Sequence, residues 1–251
     1  MRPYKDKFYG DRDANTSHAA RTILALTLDV VPPVRSAVDV GCGVGTWLSV
    51  LLERGVASIR GLDGAWVRRD LLTIPAESFL VVDLTERVPK MERFDLAISL
   101  EVAEHLPPGR ASTFVDSLVD LSDFVLFSAA IPHQGGKNHL NEQWQDYWAG
   151  LFATRGYAVV DAIRPKIWED DEIAFWYRQN VLLYVKRERL GDVKSPGGAA
   201  ESFPGLPLRV VHPVQYMRKI PDSASAGWKM LRRGVRASLK RGGGGDPVEF
   251  S

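Results

Sequence analysis

The chain has 251 residues, 45% of them hydrophobic, and a net charge of +1, which suits one globular α/β domain with a full core and an added tail. The near-neutral balance argues against a surface built to hold nucleic acid, which carries a strong basic excess. A single cysteine, Cys42, excludes an internal disulfide and fits a reducing, cytoplasmic setting; the polar start MRPYKDKFYGDRD reads as no secretory signal, and no apolar run reaches the ~18 residues of a membrane span.

In chain order, residues 13–30 set Ile23, Leu24, Leu26, Leu28 and Val30 along a helix that Thr16 or Ser17 caps and the Pro32-Pro33 pair ends. SAVDVGCG follows, a short apolar run stopped by glycines, which reads as a buried strand. GTWLSVLLERG has a helical stripe closed by Gly55. ASIRGLDG, FLVVDL and FDLAISL are expected to be strands two to four, residues 110–121 a helix, and DFVLFSAAIP a fifth strand. QWQDYWAGLFATRG is an amphipathic helix, and YAVVDAIRP and RQNVLLYVKR are the last two strands. Strands alternating with helices predict a Rossmann-like parallel sheet with helices on both faces. The last pair has no helix predicted between its members, so a hairpin-like return with one antiparallel strand is expected. After Arg189 the composition turns rich in Gly, Pro, Ser and Ala. Residues 1–189 therefore read as the domain, 190–214 as a linker and 215–251 as a basic tail.

The central motif is VDVGCGVGTW at residues 38–47. A strand delivers Asp39, and Gly41, Gly43 and Gly45 make a tight turn into a helix whose first N–H groups are free for a ligand. Dinucleotide-binding proteins spell a related turn G-x-G-x-x-G. The G-x-G-x-G spelling here has a carboxylate two places before the first glycine. Asp39 suits the sulfonium and ammonium groups of S-adenosylmethionine (SAM) and would sit badly against a pyrophosphate. Asp63 in GLDG ends the second strand and can accept from both hydroxyls of a ribose. Asp83 in VVDL ends the third and can accept from the adenine amino group, with the N–H of Leu84 facing a ring nitrogen. All these positions fall at carboxyl ends of strands, where open α/β sheets bind ligands.

The stretch from VDVGCGVGTW to the last strand, residues 36–186, resembles the class I SAM-dependent methyltransferases. The resemblance implies a seven-stranded sheet of order 3-2-1-4-5-7-6 with strand 7 antiparallel. It also implies cofactor contacts at Asp39, Gly41, Gly43, Asp63, Asp83 and Leu84. The acceptor is not set by these motifs, because one fold hosts many substrates.

SLEVAEHLPP places Glu101, Glu104 and His105 just after the fourth strand, and HQGGKNHLNEQW follows the fifth. Those strands are neighbours in the expected order, so their loops converge and bring His139 toward Glu101, Glu104 and His105. Two carboxylates and two imidazoles suit a divalent ion such as Mg²⁺; the same segment also occurs in metal-free relatives, where the carboxylates cap backbone or bind substrate. Small-RNA 2′-O-methyltransferases carry a similar E-x-x-E-H segment and later His, which bind a divalent ion. Methyl transfer needs an aligned, deprotonated nucleophile, which a His base or a metal can supply. His139 is the leading base or ligand and His105 the second, whereas His18 and His212 read as ordinary structural residues.

Asn141, Glu142 and Trp144 are the expected substrate contacts, because aromatic rings beside carboxamides and carboxylates suit a sugar. Trp148 and Phe152 read as core. The chain is also similar to actinobacterial sugar and natural-product O-methyltransferases, including those acting on methylated mannose polysaccharides. The expected function is methyl transfer from SAM to a hydroxyl of a small polar acceptor or oligosaccharide. N-methylation, RNA 2′-O-methylation and noncatalytic SAM binding are the alternatives. Trp228, Leu231, Val235 and Leu239 give the tail one apolar stripe among basic residues. Such a helix can touch an anionic surface, dock on the domain or a second subunit, or stay solvated.

Overall fold

The computed structural model describes residues 6–194, 208–220 and 227–228. Its first unit ends at His212 and carries seven strands: β1 (Ser36–Val40), β2 (Ser58–Asp63), β3 (Phe79–Val81), β4 (Leu96–Leu100), β5 (Phe124–Ser128), β6 (Tyr157–Val160) and β7 (Leu182–Lys186). They form one sheet of order β3-β2-β1-β4-β5-β7-β6. β1 to β5 pair in parallel, and β7 runs antiparallel to both β5 and β6. This is the expected sheet.

Helices α1 (Asp6–Val30), α2 (Thr46–Glu53), α3 (Ala111–Leu121), α4 (Gln145–Ala153), α5 (Arg164–Ile167) and α6 (Phe175–Asn180) cover it. The strand period of two divides the core between the faces. Ala37, Leu96, Ile98, Leu126 and Leu183 join Ile23, Leu24, Leu48 and Leu51 of α1 and α2. Val38, Val40, Ala97, Val125 and Phe127 join Phe114, Leu118, Trp148 and Phe152 of α3 and α4. Trp148 and Phe152 are core, as their helical spacing implied.

Three local expectations are corrected. The β6–β7 connection is not a simple hairpin, because α5 and α6 lie within it and Arg178, Gln179 and Asn180 belong to α6 rather than to the last strand. The Arg164 side chain is buried there, its guanidinium held by Asp161 and by the carbonyls of Gln179 and Leu208. Thr16 and Ser17 do not cap α1, which begins ten or more residues earlier, at Asp6. β3 stops at Val81, so Asp83 follows the strand on an exposed turn.

Leu208–His212, placed by composition in the linker, is part of the first unit. Arg209 pairs with Asp146, Gln145 donates to the carbonyl of Val210, and the His212 N–H donates to Gln179. A second unit starts at Pro213 and carries the short helix α7 (Pro213–Met217). The rest of the stripe from Leu231 to Leu239 lies outside the described residues. Among the described residues, no helix is long and apolar enough to cross a membrane.

Candidate functional site

A cavity of about 370 Å³ opens at the carboxyl ends of β1 and β4. Asp39, Gly41, Cys42 and Gly43 line one side; Glu101, Glu104, His105 and His139 line the other. Thr16 of α1, Trp47 of α2 and Trp176 and Tyr177 of α6 complete its walls.

The glycine turn is built for close approach. Gly41, Gly43 and Gly45 all have positive φ, 89°, 55° and 93°, where a side chain is strained. A Cβ on Gly41 would come within 2.4 Å of Val102, so this glycine lets the β1 and β4 loops pack together. The turn is pinned by Asp63, which accepts from the N–H groups of Gly43 at 2.7 Å and Gly64 at 2.6 Å. Beside it, Asp39 is only 2% exposed and its Oδ2 has no hydrogen-bond partner. Burial, and then the charge of Asp63, push the Asp39 carboxyl well above the usual range. A buried carboxylate with one oxygen unpartnered at the mouth of a glycine turn is the arrangement a cationic cofactor completes, so these residues fit SAM.

The other predicted cofactor positions lie apart from this cavity lining. Asp63 is buried, and its carboxyl is raised by burial against the opposing N–H bonds of Gly43 and Gly64 and the indole of Trp66. The Trp66 ring lies over Gly64, where an added Cβ would come within 2.1 Å of it. Asp83 is exposed and accepts from the Thr85 N–H and hydroxyl at 2.9 and 2.7 Å, which hold its carboxyl low. The Leu84 side chain is buried in the core.

The β4 and β5 loops converge as the strand order requires. Glu101 is fixed to the end of β5, its N–H donating to the carbonyl and hydroxyl of Ser128. The carbonyl of Glu104 accepts from the N–H groups of Leu140 and Asn141 at 2.7 and 3.0 Å. The non-glycine residues with positive φ among those described are Glu101, His133 and Asn138, all in these two loops. Backbone held in sparse regions gathers at functional sites.

Glu104, His105 and His139 bring one ligand atom each to within 4.8 Å of one another. The two imidazoles meet edge to face, with ring centres 4.9 Å apart. Glu104 is 1% exposed and neither carboxylate oxygen has a hydrogen-bond partner. Burial and the neighbouring Glu101 push its carboxyl far up. His139 is oriented by Glu142, whose Oε1 lies 2.9 Å from its Nδ1. Glu142 is itself clamped by the N–H groups of His133 and Gly135, each at 2.8 Å. A carboxylate on one ring nitrogen fixes the tautomer and leaves Nε2 for a ligand or a proton.

Glu101 lines the same cavity and is held by carboxamides. Its oxygens accept from Gln134 at 2.8 Å and Asn180 at 3.2 Å, and Gln179 and Asn180 also donate to Gln134. Burial raises its carboxyl, while those amides pull it back down. The expected substrate contacts lie off the cavity lining. Asn141 is buried, Glu142 holds His139, Trp144 precedes α4, and none of them lines the cavity. Gln134, Gln179 and Asn180 were missed, because an isolated carboxamide carries no spacing signal. Trp176 and Tyr177 reach the cavity wall through the β6–β7 connection.

Sheet order, glycine turn and buried acidic partner define a class I SAM-dependent methyltransferase. The chain belongs to the methyltransferase family: the family model described as a methyltransferase domain matches residues 12–162. No curated protein sequence matches the chain. Among solved structures it is similar to a Haloferax volcanii complex of the Trm112 methyltransferase activator with a methyltransferase. The identity is 16%, the coverage 74% of this chain and 99% of that one, and the TM-score 0.53. An O-methyltransferase family protein from Burkholderia thailandensis aligns at 13% identity over 70% of this chain and 56% of that one, with a TM-score of 0.50. The chain spans 58% of the LaPhzM structure, which covers 70% of this chain at 16% identity and a TM-score of 0.46. Likeness at these identities speaks for the fold alone.

Proposed function

We propose that the protein transfers the SAM methyl group to a hydroxyl of a small polar acceptor, a sugar or oligosaccharide, and that Glu104, His105 and His139 hold a divalent cation beside it. The observation that carries this reading is the buried Glu104 carboxylate, without a hydrogen-bond partner, next to two imidazoles on the cavity that also holds the glycine turn. An unpaired carboxylate in such a place is costly and calls for a cation. The residues fit one: mixed O/N donors suit first-row divalent ions, with Mg²⁺ held more weakly.

SAM supplies a methyl group on a good leaving group, so the protein must mainly align the acceptor and remove its proton. Asp39 orients the cationic end of the cofactor. A cation at Glu104, His105 and His139 would lower the pKa of an acceptor hydroxyl and fix its position. Trp176 and Tyr177 offer flat apolar faces to a ring, and Gln134 and Lys137 offer polar groups along the same wall. The bond from His139 to Glu142 favours a second reading, in which His139 Nε2 takes the proton directly and Glu142 stabilises the imidazolium. A ligated His139 cannot also be that base, so the two readings are exclusive.

The test is methyl transfer from labelled SAM to a panel of sugars and glycosides, with Mn²⁺ or Mg²⁺ and with EDTA. Sugar-dependent transfer lost in EDTA supports the cation reading. Transfer indifferent to EDTA but lost in Glu142→Gln supports the His139 base. SAM binding with no transfer to any hydroxyl overturns the acceptor assignment and points to amine acceptors.

A further inference from the structure

A second group of metal-type ligands lies outside the site described above. His18 on α1 faces Asp170 and Glu172, which sit in the connection between α5 and α6. His18 Nε2 is 3.7 Å from Asp170 Oδ2 and 3.5 Å from Glu172 Oε2, and all three ligand atoms lie within 4.8 Å of one another. These separations are long for hydrogen bonds. They match two ligands of one ion: donors about 2.1 Å from a tetrahedral centre stand about 3.4 Å apart.

Two further observations point to a cation. His18 Nε2 is shielded from solvent and has no hydrogen-bond partner, although the ring as a whole is partly exposed. Among the described residues, no arginine or lysine pairs with Asp170 or Glu172. Two carboxylates therefore converge on one imidazole nitrogen with no fixed positive charge between them. Asp170 keeps its Oδ2 for this contact, because its Oδ1 accepts from the N–H of Glu172.

We infer that His18, Asp170 and Glu172 form a divalent-cation site of the zinc type that clasps α1 to the β6–β7 connection. One imidazole and two carboxylates suit Zn²⁺ or Co²⁺ and disfavour Mg²⁺, which takes oxygen ligands. With three protein donors, water completes the coordination. The clasp has a consequence at the cofactor cavity, since Thr16 lies two residues before His18 on α1, and Trp176 and Tyr177 lie four and five residues after Glu172. All three line the cavity. An ion joining the two elements holds both walls in place, so it ties cofactor binding to the presence of zinc.

The test uses the full chain stripped of metal and titrated with Zn²⁺ in a calorimeter. His18→Ala and Asp170→Asn, on separate elements, should each bind one Zn²⁺ fewer than the unaltered protein. That drop of one does not depend on whether Glu104, His105 and His139 also take an ion; Glu104→Gln removes that other site and leaves this one. With that other site removed by Glu104→Gln, Zn²⁺ should also tighten SAM binding about five-fold, and it should leave SAM binding unchanged once His18→Ala is added. Equal Zn²⁺ stoichiometry in the unaltered protein and both variants would overturn the site and leave a plain ion pair. A lost ion with unchanged SAM affinity would overturn the clasp.

Discussion

Asp39→Asn should stabilise the protein without cofactor and weaken its hold on SAM. The carboxylate is 2% exposed, has an oxygen without a partner and stands beside Asp63, so burial and like charge both oppose its ionisation. Leaving such a group unpaired costs about 1–3 kcal/mol. Asparagine removes the charge but keeps polar atoms to satisfy, so a gain of about 1 kcal/mol is expected at pH 8. In a chain of this size that is a rise of about 2–4 °C in Tm. The pH dependence has a fixed sign. A folded-state carboxyl raised above its unfolded value binds more protons in the native protein, so its contribution to stability falls as pH rises from the ordinary carboxylate range through the raised value. The advantage of the variant should therefore shrink on acidification and vanish where Asp39 is protonated in both states. With cofactor the order reverses. A charge-assisted bond is worth about 1.5–3 kcal/mol, so SAM should bind about 10- to 150-fold more weakly. At SAM 100-fold above its Kd the unaltered protein gains about 2.7 kcal/mol, a shift of about 5–11 °C, and the variant far less. Thermal denaturation at pH 5 and pH 8, with and without SAM, reads all four numbers. A variant less stable than the parent at pH 8 without SAM, or one shifted equally by SAM, would refute the reasoning.

Two other substitutions probe the site from its backbone. Gly41→Ala puts a Cβ within 2.4 Å of the stiff Val102 side chain at a φ of 89°. It should cost about 2–3 kcal/mol, or about 4–12 °C in Tm, and adding Val102→Ala should recover only part of that, because the φ strain stays; full recovery in thermal denaturation would show that the strain is not real. Gly136→Ala puts a Cβ 2.1 Å from His139 Nε2, where the ring can yield without disturbing the sheet. Tm should move by less than about 2 °C while divalent-ion affinity falls about 10- to 100-fold, read by calorimetry.

The cofactor half of the molecule was largely legible because it is local in sequence. Asp39, Gly41, Gly43 and Gly45 sit within seven residues, and a strand-to-helix turn with that spacing admits few alternatives. Apolar runs alternating with helical stretches point to a parallel sheet, whereas its strand order is what the resemblance to class I SAM-dependent methyltransferases implies. Asp83 was read too closely, since a strand was assumed to reach it and β3 ends two residues sooner. The β6–β7 connection was misread because α5 and α6 are four and six residues long, too short for a periodic pattern to announce.

The acceptor half was legible only where topology did the work. His139 could be placed beside Glu104 and His105 from strand order alone, because neighbouring parallel strands deliver their following loops to one place. What the loops do there depends on contacts that sequence separation hides. Glu142 looked like a sugar contact, yet its carboxylate is consumed by His139 and two backbone N–H groups. Glu101 looked like a fourth ligand, yet it is met by Asn180 from 79 positions away and by Gln134. Gln134 and Asn180 are in turn bonded to Gln179, whose Oε1 accepts from the N–H of His212. A chain of carboxamides thus runs from the segment after β7 to the edge of the cavity. The sheet fixes where the glycine turn sits, while the facing wall of the cavity depends on residues brought together from separate stretches of the chain.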